Sequence, residues 1–77
     1  MPPVSLEKLA NGNRGIIRTI DESLLRVKLL EMGLTLGTEI QVLYRAPFGG
    51  PLAIDINGYV LSLRQDEAQL VHVEPVS

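Results

Sequence analysis

Side chains able to do acid–base or ligand chemistry are sparse in this chain. It has one histidine, His72, and no cysteine, which removes a thiolate metal site, a thiol nucleophile and a disulfide framework. Near His72 in the sequence stand Asp66, Glu67 and Glu74. Together these groups have donor atoms for a divalent cation, but their spacing follows no metal-binding pattern, and they read as a solvated acidic patch. His72 alternates with Val71 and Val73, which puts it on the outer face of a strand, and no motif places a serine nucleophile beside it. The glycines between Gly33 and Gly37 and at Gly49-Gly50 mark turns, and neither turn carries the Lys and Ser/Thr of a phosphate-binding loop. No catalytic residue, metal ligand or cofactor is therefore assigned, and the chain reads as a binding protein rather than an enzyme. The binding chemistry that remains is a lone aromatic, Phe48, on a Gly/Pro-framed loop tip, with Arg45 beside the loop and Arg64 at a strand end.

Composition bounds what can position these groups. A chain of 77 residues is one domain, residues 1–77, with a small core in which each buried aliphatic matters. Its 45% apolar share argues against disorder, and nearly all of that share is aliphatic. The formal net charge is -2, and the basic residues are scattered from Lys8 to Arg64, so there is no basic stripe for nucleic acid. The longest apolar run is far short of a membrane span, and Met1-Pro2-Pro3-Val4 lacks the charged and apolar regions of a secretion signal. So small a domain without disulfides points to the cytosol.

Strand signals dominate the order of elements. Val4–Ala10 is expected to hold one helical turn capped by Ser5, followed by a turn at Asn11-Gly12. Arg14–Ile20 is the first strand, with Gly15 marking a bulge or a close backbone approach. Asp21 then caps a helix from about Glu22 to Met32, whose buried side is Leu24, Leu25, Leu29 and Met32. Gly33 ends it with a left-handed residue, Leu34 folds back onto its last turn, and Gly37 bends the chain into the next strand. In that strand Ile40, Val42 and Tyr44 face inward. Asn57-Gly58 between two alternating runs makes a hairpin with Ile56 opposite Tyr59, Ile54 opposite Leu61 and Leu52 opposite Leu63, all on one apolar face. A polar helical turn at Arg64–Ala68 leads to the last strand, Leu70–Glu74, which Pro75 ends. The expected fold class is mainly β: a small SH3-like β-barrel of about five strands, closing on itself to hide its edges, with one α-helix inserted after the first strand.

The ordered set S-L-E-K-L-x-x-G-x-x-G-x-I (Ser5–Ile17), R-x-K-L-L-E-M-G-L-x-x-G-T-E-I (Arg26–Ile40), A-P-F-G-G-P (Ala46–Pro51), G-Y-x-L-S-L-R-x-x-E-A (Gly58–Ala68) and L-V-H-V-E (Leu70–Glu74) covers nearly the whole chain. Each piece is unspecific; the set in this order resembles the FeoA family, the small cytosolic partner of the bacterial ferrous iron transport system. Two positions depart from the family pattern. Gly49-Gly50-Pro51 stands where the family often has Gly-Asp-Pro, and Leu36 stands where it commonly has proline before Gly37. The resemblance implies an SH3-like barrel acting beside a FeoB-type permease, a membrane protein with a cytosolic G-protein domain. FeoA-like domains also end metal-dependent repressors, as accessory domains.

Four roles follow for comparison. The first is an adaptor that binds the cytosolic domain of the permease, without nucleic acid or membrane insertion, as a monomer or weak homo-oligomer. The second is a regulator of the permease's GTP hydrolysis through Arg45 or Arg64, since an arginine supplied in trans stabilises transition-state charge. The third is a direct sensor of a divalent ion, opposed by the lack of clustered ligands. The fourth, a proline-rich peptide binder, needs an aromatic groove that three aromatics cannot line if Tyr44 and Tyr59 face the core. The partner surface is expected at Arg45, Phe48, Gly49 and Gly50, extended by a neighbouring helix end carrying Leu34 and Leu36, and not at Asn57-Gly58.

Overall fold

β-branched and leucine-rich runs set off by glycine and proline give six strands, all paired antiparallel, in a computed structural model that describes residues 2–76; Met1 and Ser77, the ends of the expected domain, lie outside the described residues. The strands are β1 (Val4–Ser5), β2 (Arg14–Ile20), β3 (Glu39–Arg45), β4 (Leu52–Ile56), β5 (Tyr59–Leu63) and β6 (Val71–Val76). A single 3-10 turn, Leu6–Lys8, and two six-residue helices, α1 (Arg26–Glu31) and α2 (Gln65–Leu70), complete the chain. The sheet order is β1-β6-β2-β3-β4-β5. Among the described residues β1 and β5 do not pair, so the expected closure of the barrel is corrected: the sheet curls around its core and leaves two edges. The extra strand comes from Val4 and Ser5, which pair with Val73 and His72 rather than starting a helical turn. Ser5 does not cap the 3-10 turn; its hydroxyl donates to the carbonyls of Ala68 and Gln69.

One aliphatic cluster fills the concave side. Leu6, Ile17, Leu29, Leu34, Val42, Ile54, Ile56, Leu63, Val71 and Val73 have no accessible surface. The hairpin register is as read, with Ile56 opposite Tyr59, Ile54 opposite Leu61 and Leu52 opposite Leu63. Gly15 is the close approach: a Cβ there would lie 3.0 Å from Val73 Cβ. Pro75 does not end β6; it pairs with Gly15 inside the strand, which runs to Val76.

Three inward assignments fail. Tyr59, expected to face the core, is 45% exposed, with its hydroxyl on the Met32 carbonyl. Between Val42 and Tyr44 the pairing with β4 shifts by a residue, so alternation breaks and Tyr44 turns outward, 60% exposed. The helix starts later than Asp21 implies. The Ser23 hydroxyl accepts the Leu25 N–H at 3.1 Å and the Ser23 carbonyl accepts that of Arg26, holding residues 22–25 in turns. Leu24 consequently lies outside the helix and is fully exposed, against the expectation that it is buried. At the other end the reading holds: Gly33 has φ +100°, and the Leu34 N–H returns to the Leu29 carbonyl at 3.2 Å.

Candidate functional site

The Ala46–Pro51 loop is a tight turn nested inside another. The Ala46 N–H donates to the Pro51 carbonyl at 2.9 Å, and the Gly50 N–H donates to the Pro47 carbonyl at 3.2 Å. The inner turn places Phe48 at φ +59° and Gly49 at φ +72°, both left-handed. Glycine adopts that region freely, but for a bulky residue it is an outlier costing roughly 1–2 kcal/mol. Phe48 bears this cost with its ring entirely in solvent. Backbone strain and a fully exposed aromatic ring thus coincide at Phe48.

Two hollows flank the loop. One, of about 520 Å³, has Leu52 and Ala68 at its apolar side and Glu7, Arg45 and Gln65 at its polar side. The other, of about 490 Å³, is polar, lined by Arg64, Gln65, Asp66 and Gln69. Gly49 and Gly50 border both. At Gly50 the lack of a side chain is needed, since a Cβ there would lie 2.7 Å from Ala46 Cβ; one on Gly49 would meet only the movable tip of Gln65, 2.8 Å from Oε1. An aspartate at position 50, as the family often has, would not fit this conformation without a shift of the loop.

The two arginines differ in what they are free to do. Arg45 is fixed: its Nε donates to Asn11 Oδ1 at 3.2 Å, Nη1 to the Glu7 carbonyl and Nη2 to the Leu9 carbonyl. It ties the end of β3 to the segment after β1 and so braces the loop. Arg64 lies mostly in solvent, its nearest counter-charge Asp66 at 3.8 Å. Of the remaining expected contacts, Leu34 is corrected, since it is wholly buried and presents nothing to a partner. Leu36 is 57% exposed but stands elsewhere. The Tyr59 hydroxyl donates to the Met32 carbonyl at 3.0 Å, which puts the end of α1 beside the Asn57-Gly58 turn. β3 separates that end of the sheet from the loop by about 20 Å, at ~3.3 Å per residue. The helix end is not a neighbour of the loop.

The acidic residues are also redistributed. Glu67 is 3% exposed, its carboxylate taking Lys28 Nζ at 2.8 Å and the Arg64 N–H at 2.8 Å. Burial alone would raise its pKa; the Lys28 ammonium and the Arg64 N–H outweigh that and hold the group below its ordinary value. His72 Nε2 meets Asp21 Oδ2 at 3.0 Å. Among the described residues no three His, Asp or Glu side chains come together, and no helix is long and apolar enough to cross a membrane. The Lys28–Glu67 pair had no local sequence signal, because its members are 39 residues apart.

Fold and loop together define a small antiparallel β module with a braced, aromatic-tipped loop. Residues 4–75 match the FeoA domain, and the chain belongs to the FeoA family. It is 33% identical over 73 residues to the Fe(2+) transport protein A/Fe(2+) transporter FeoB fusion protein of Porphyromonas gingivalis; those residues are 94% of this chain and 9% of that protein. The NMR structure of a FeoA-like protein from Clostridium acetobutylicum superposes with a TM-score of 0.91 at 33% identity, covering all of this chain and 91% of that one. Stenotrophomonas maltophilia FeoA complexed with zinc, described as a prokaryotic SH3 domain protein, shares the fold at 23% identity and a TM-score of 0.78, over 90% of this chain and 87% of that one. A manganese-dependent transcriptional repressor also shares the fold, at 22% identity and a TM-score of 0.88, with 99% of this chain covering 44% of that one. The SH3-like fold expected from the sequence is thus found, as an open sheet.

Proposed function

We propose that this chain is an accessory protein of a ferrous iron transport system, acting on the cytosolic side by binding a FeoB-type permease. The observation that carries the reading is the Porphyromonas gingivalis relative, in which a segment resembling 94% of this chain is part of one polypeptide with the transporter. Covalent joining raises the effective concentration of two modules that work together, and a separate chain must supply the same encounter through its own affinity. Phe48, Gly49 and Gly50 are the contact loop in this reading, with Arg45 as its brace and Leu36 outside it. The test is a binding titration of the full chain against the permease's soluble domain and against the detergent-solubilised permease, with and without guanine nucleotide. Saturable binding in any of these states supports the proposal; no binding in all of them sinks it.

A second reading, stimulation of GTP hydrolysis by an arginine in trans, rests on the exposure of Arg64, since Arg45 has its donors engaged. It predicts that saturating protein raises the permease's GTPase rate and that Arg64→Ala abolishes the increase. An unchanged rate eliminates it and leaves the adaptor role standing.

A further inference from the structure

The sheet leaves one long edge open. A two-residue turn joins β4 to β5, so Ile56 and Tyr59 exchange both backbone hydrogen bonds and paired and unpaired positions alternate from there. Tyr59, Leu61 and Leu63 direct their N–H and C=O groups at β4. Those of Val60 and Ser62 point the other way, and no described residue takes them up. Natural proteins guard such an edge with lysine, proline, a bulge or a covering loop. β5 has none of these: Tyr-Val-Leu-Ser-Leu carries no charge and no proline, its register with β4 has no shift, and Val60 is 65% exposed.

We propose that β5 pairs with β5 of a second copy of this chain, antiparallel and two-fold symmetric about Leu61. In that register Val60 of each copy lies opposite Ser62 of the other. Both outward donors and both outward acceptors of each strand are then used. Leu61 meets its own counterpart across the axis as a close, non-hydrogen-bonded pair, the arrangement in which aliphatic side chains gain most contact. Arg64 falls opposite Gly58, so no like charges meet. The other free edge, β1, is only two residues long. Head-to-tail pairing of β5 onto β1 would leave groups unpaired, which favours a closed dimer over an open filament. Two five-residue strands bury less than the ~1,200 Å² at which stable interfaces begin, so the dimer is weak, dissociating on the order of 0.1 mM. The proposal rests on backbone geometry and is independent of the transporter reading.

Sedimentation and amide hydrogen exchange of the full chain, from about 10 µM to about 1 mM, test it. The expected result is a shift from monomer to dimer mass in which the Val60 and Ser62 amides, unprotected in the monomer, slow about fourfold across this range. Val60→Pro removes an outward donor and no bond to β4, and Ser62→Lys places a charge at the edge. Both are expected to stay monomeric at the highest concentration, their folding judged by retained protection of Leu61 and Leu63. If a variant does not fold, exchange in the unmodified chain decides. A monomer with unprotected Val60 and Ser62 throughout, a dimer lacking that protection, growth beyond dimer, or dimers of both folded variants each overturns the proposal. Protection that arises only on adding the permease's soluble domain also overturns it and assigns the edge to a strand of that protein.

Discussion

In the proposed contact loop Phe48 is exposed and Arg45 is fixed by three acceptors. Replacing Phe48 by alanine removes the ring but keeps a Cβ at positive φ; binding to the permease is expected to weaken by about 1–2 kcal/mol with little change in melting temperature. Phe48→Gly separates the two effects. It should weaken binding equally while leaving stability unchanged or raised by up to about 1 kcal/mol, since glycine relieves the left-handed strain but gains freedom in the unfolded chain. Denaturant unfolding read beside a binding isotherm checks this; a large stability loss in either variant would place the ring in the core and remove it from the interface. Arg45→Met keeps the stem and strips the guanidinium from three acceptors, two of them main-chain carbonyls. A loss of about 2 kcal/mol is expected in chemical denaturation, with any effect on binding following from a loosened loop. Local signals made the glycines and Phe48 legible in the sequence. The engagement of Arg45 was not, because Glu7, Leu9 and Asn11 reach it only through the fold.

The helices are held by a charge pair more than by their own length. α1 and α2 have six residues each, too short to be stable alone, and Lys28 on one reaches Glu67 on the other. Removing the lysine leaves a buried carboxylate with its main-chain donor but without its cation. Lys28→Ala is expected to cost about 1–3 kcal/mol at neutral pH, below the ~3–5 kcal/mol of a fully buried pair because the ammonium is 57% exposed. The pH dependence has a definite sign. The folded carboxyl titrates below its ordinary value of 4.5, so its stabilisation is complete above that value and is lost as pH falls through the folded one. Melting temperature should therefore decline more steeply between about pH 5 and pH 3 in the native chain than in Glu67→Gln; parallel curves would show that the pair contributes nothing. The elements show why sequence reading succeeded and failed. The hairpin register was legible to the residue because Asn57-Gly58 fixes its turn, but alternation did not fix its faces: Tyr59 is exposed and Ala53 buried. The start of α1 was not, because Asp21 and Ser23 are both capable caps and Asp21 was drawn away by His72. The outward turn of Tyr44 was hidden by a one-residue bulge that leaves no mark in the hydrophobic pattern.

Among the described residues the fully buried apolar side chains belong to one cluster drawn from most of the strands, both helices, the link after α1 and the 3-10 turn, so no part of the sheet has a core of its own. Unfolding by denaturant is expected as a single transition, with far-UV circular dichroism and hydrogen exchange of the slowest amides giving the same free energy; separate midpoints would reveal a subdomain. The strand sequence was legible in outline because its β-branched runs are set off by glycine and proline turns. The openness of the sheet was not, since closure depends on whether β1 meets β5, and two residues at Val4–Ser5 carry no signal for their neighbour. The single aliphatic core has an optical consequence. There is no tryptophan, Tyr44 and Tyr59 are 60% and 45% exposed, and the phenylalanine ring stands clear of the protein. The interior is spectroscopically dark, and every native chromophore is a surface probe. Tyrosine emission in this protein should respond weakly when the core melts and more strongly when something settles against β5 or the outer face of β3, which makes it a label-free reporter of association.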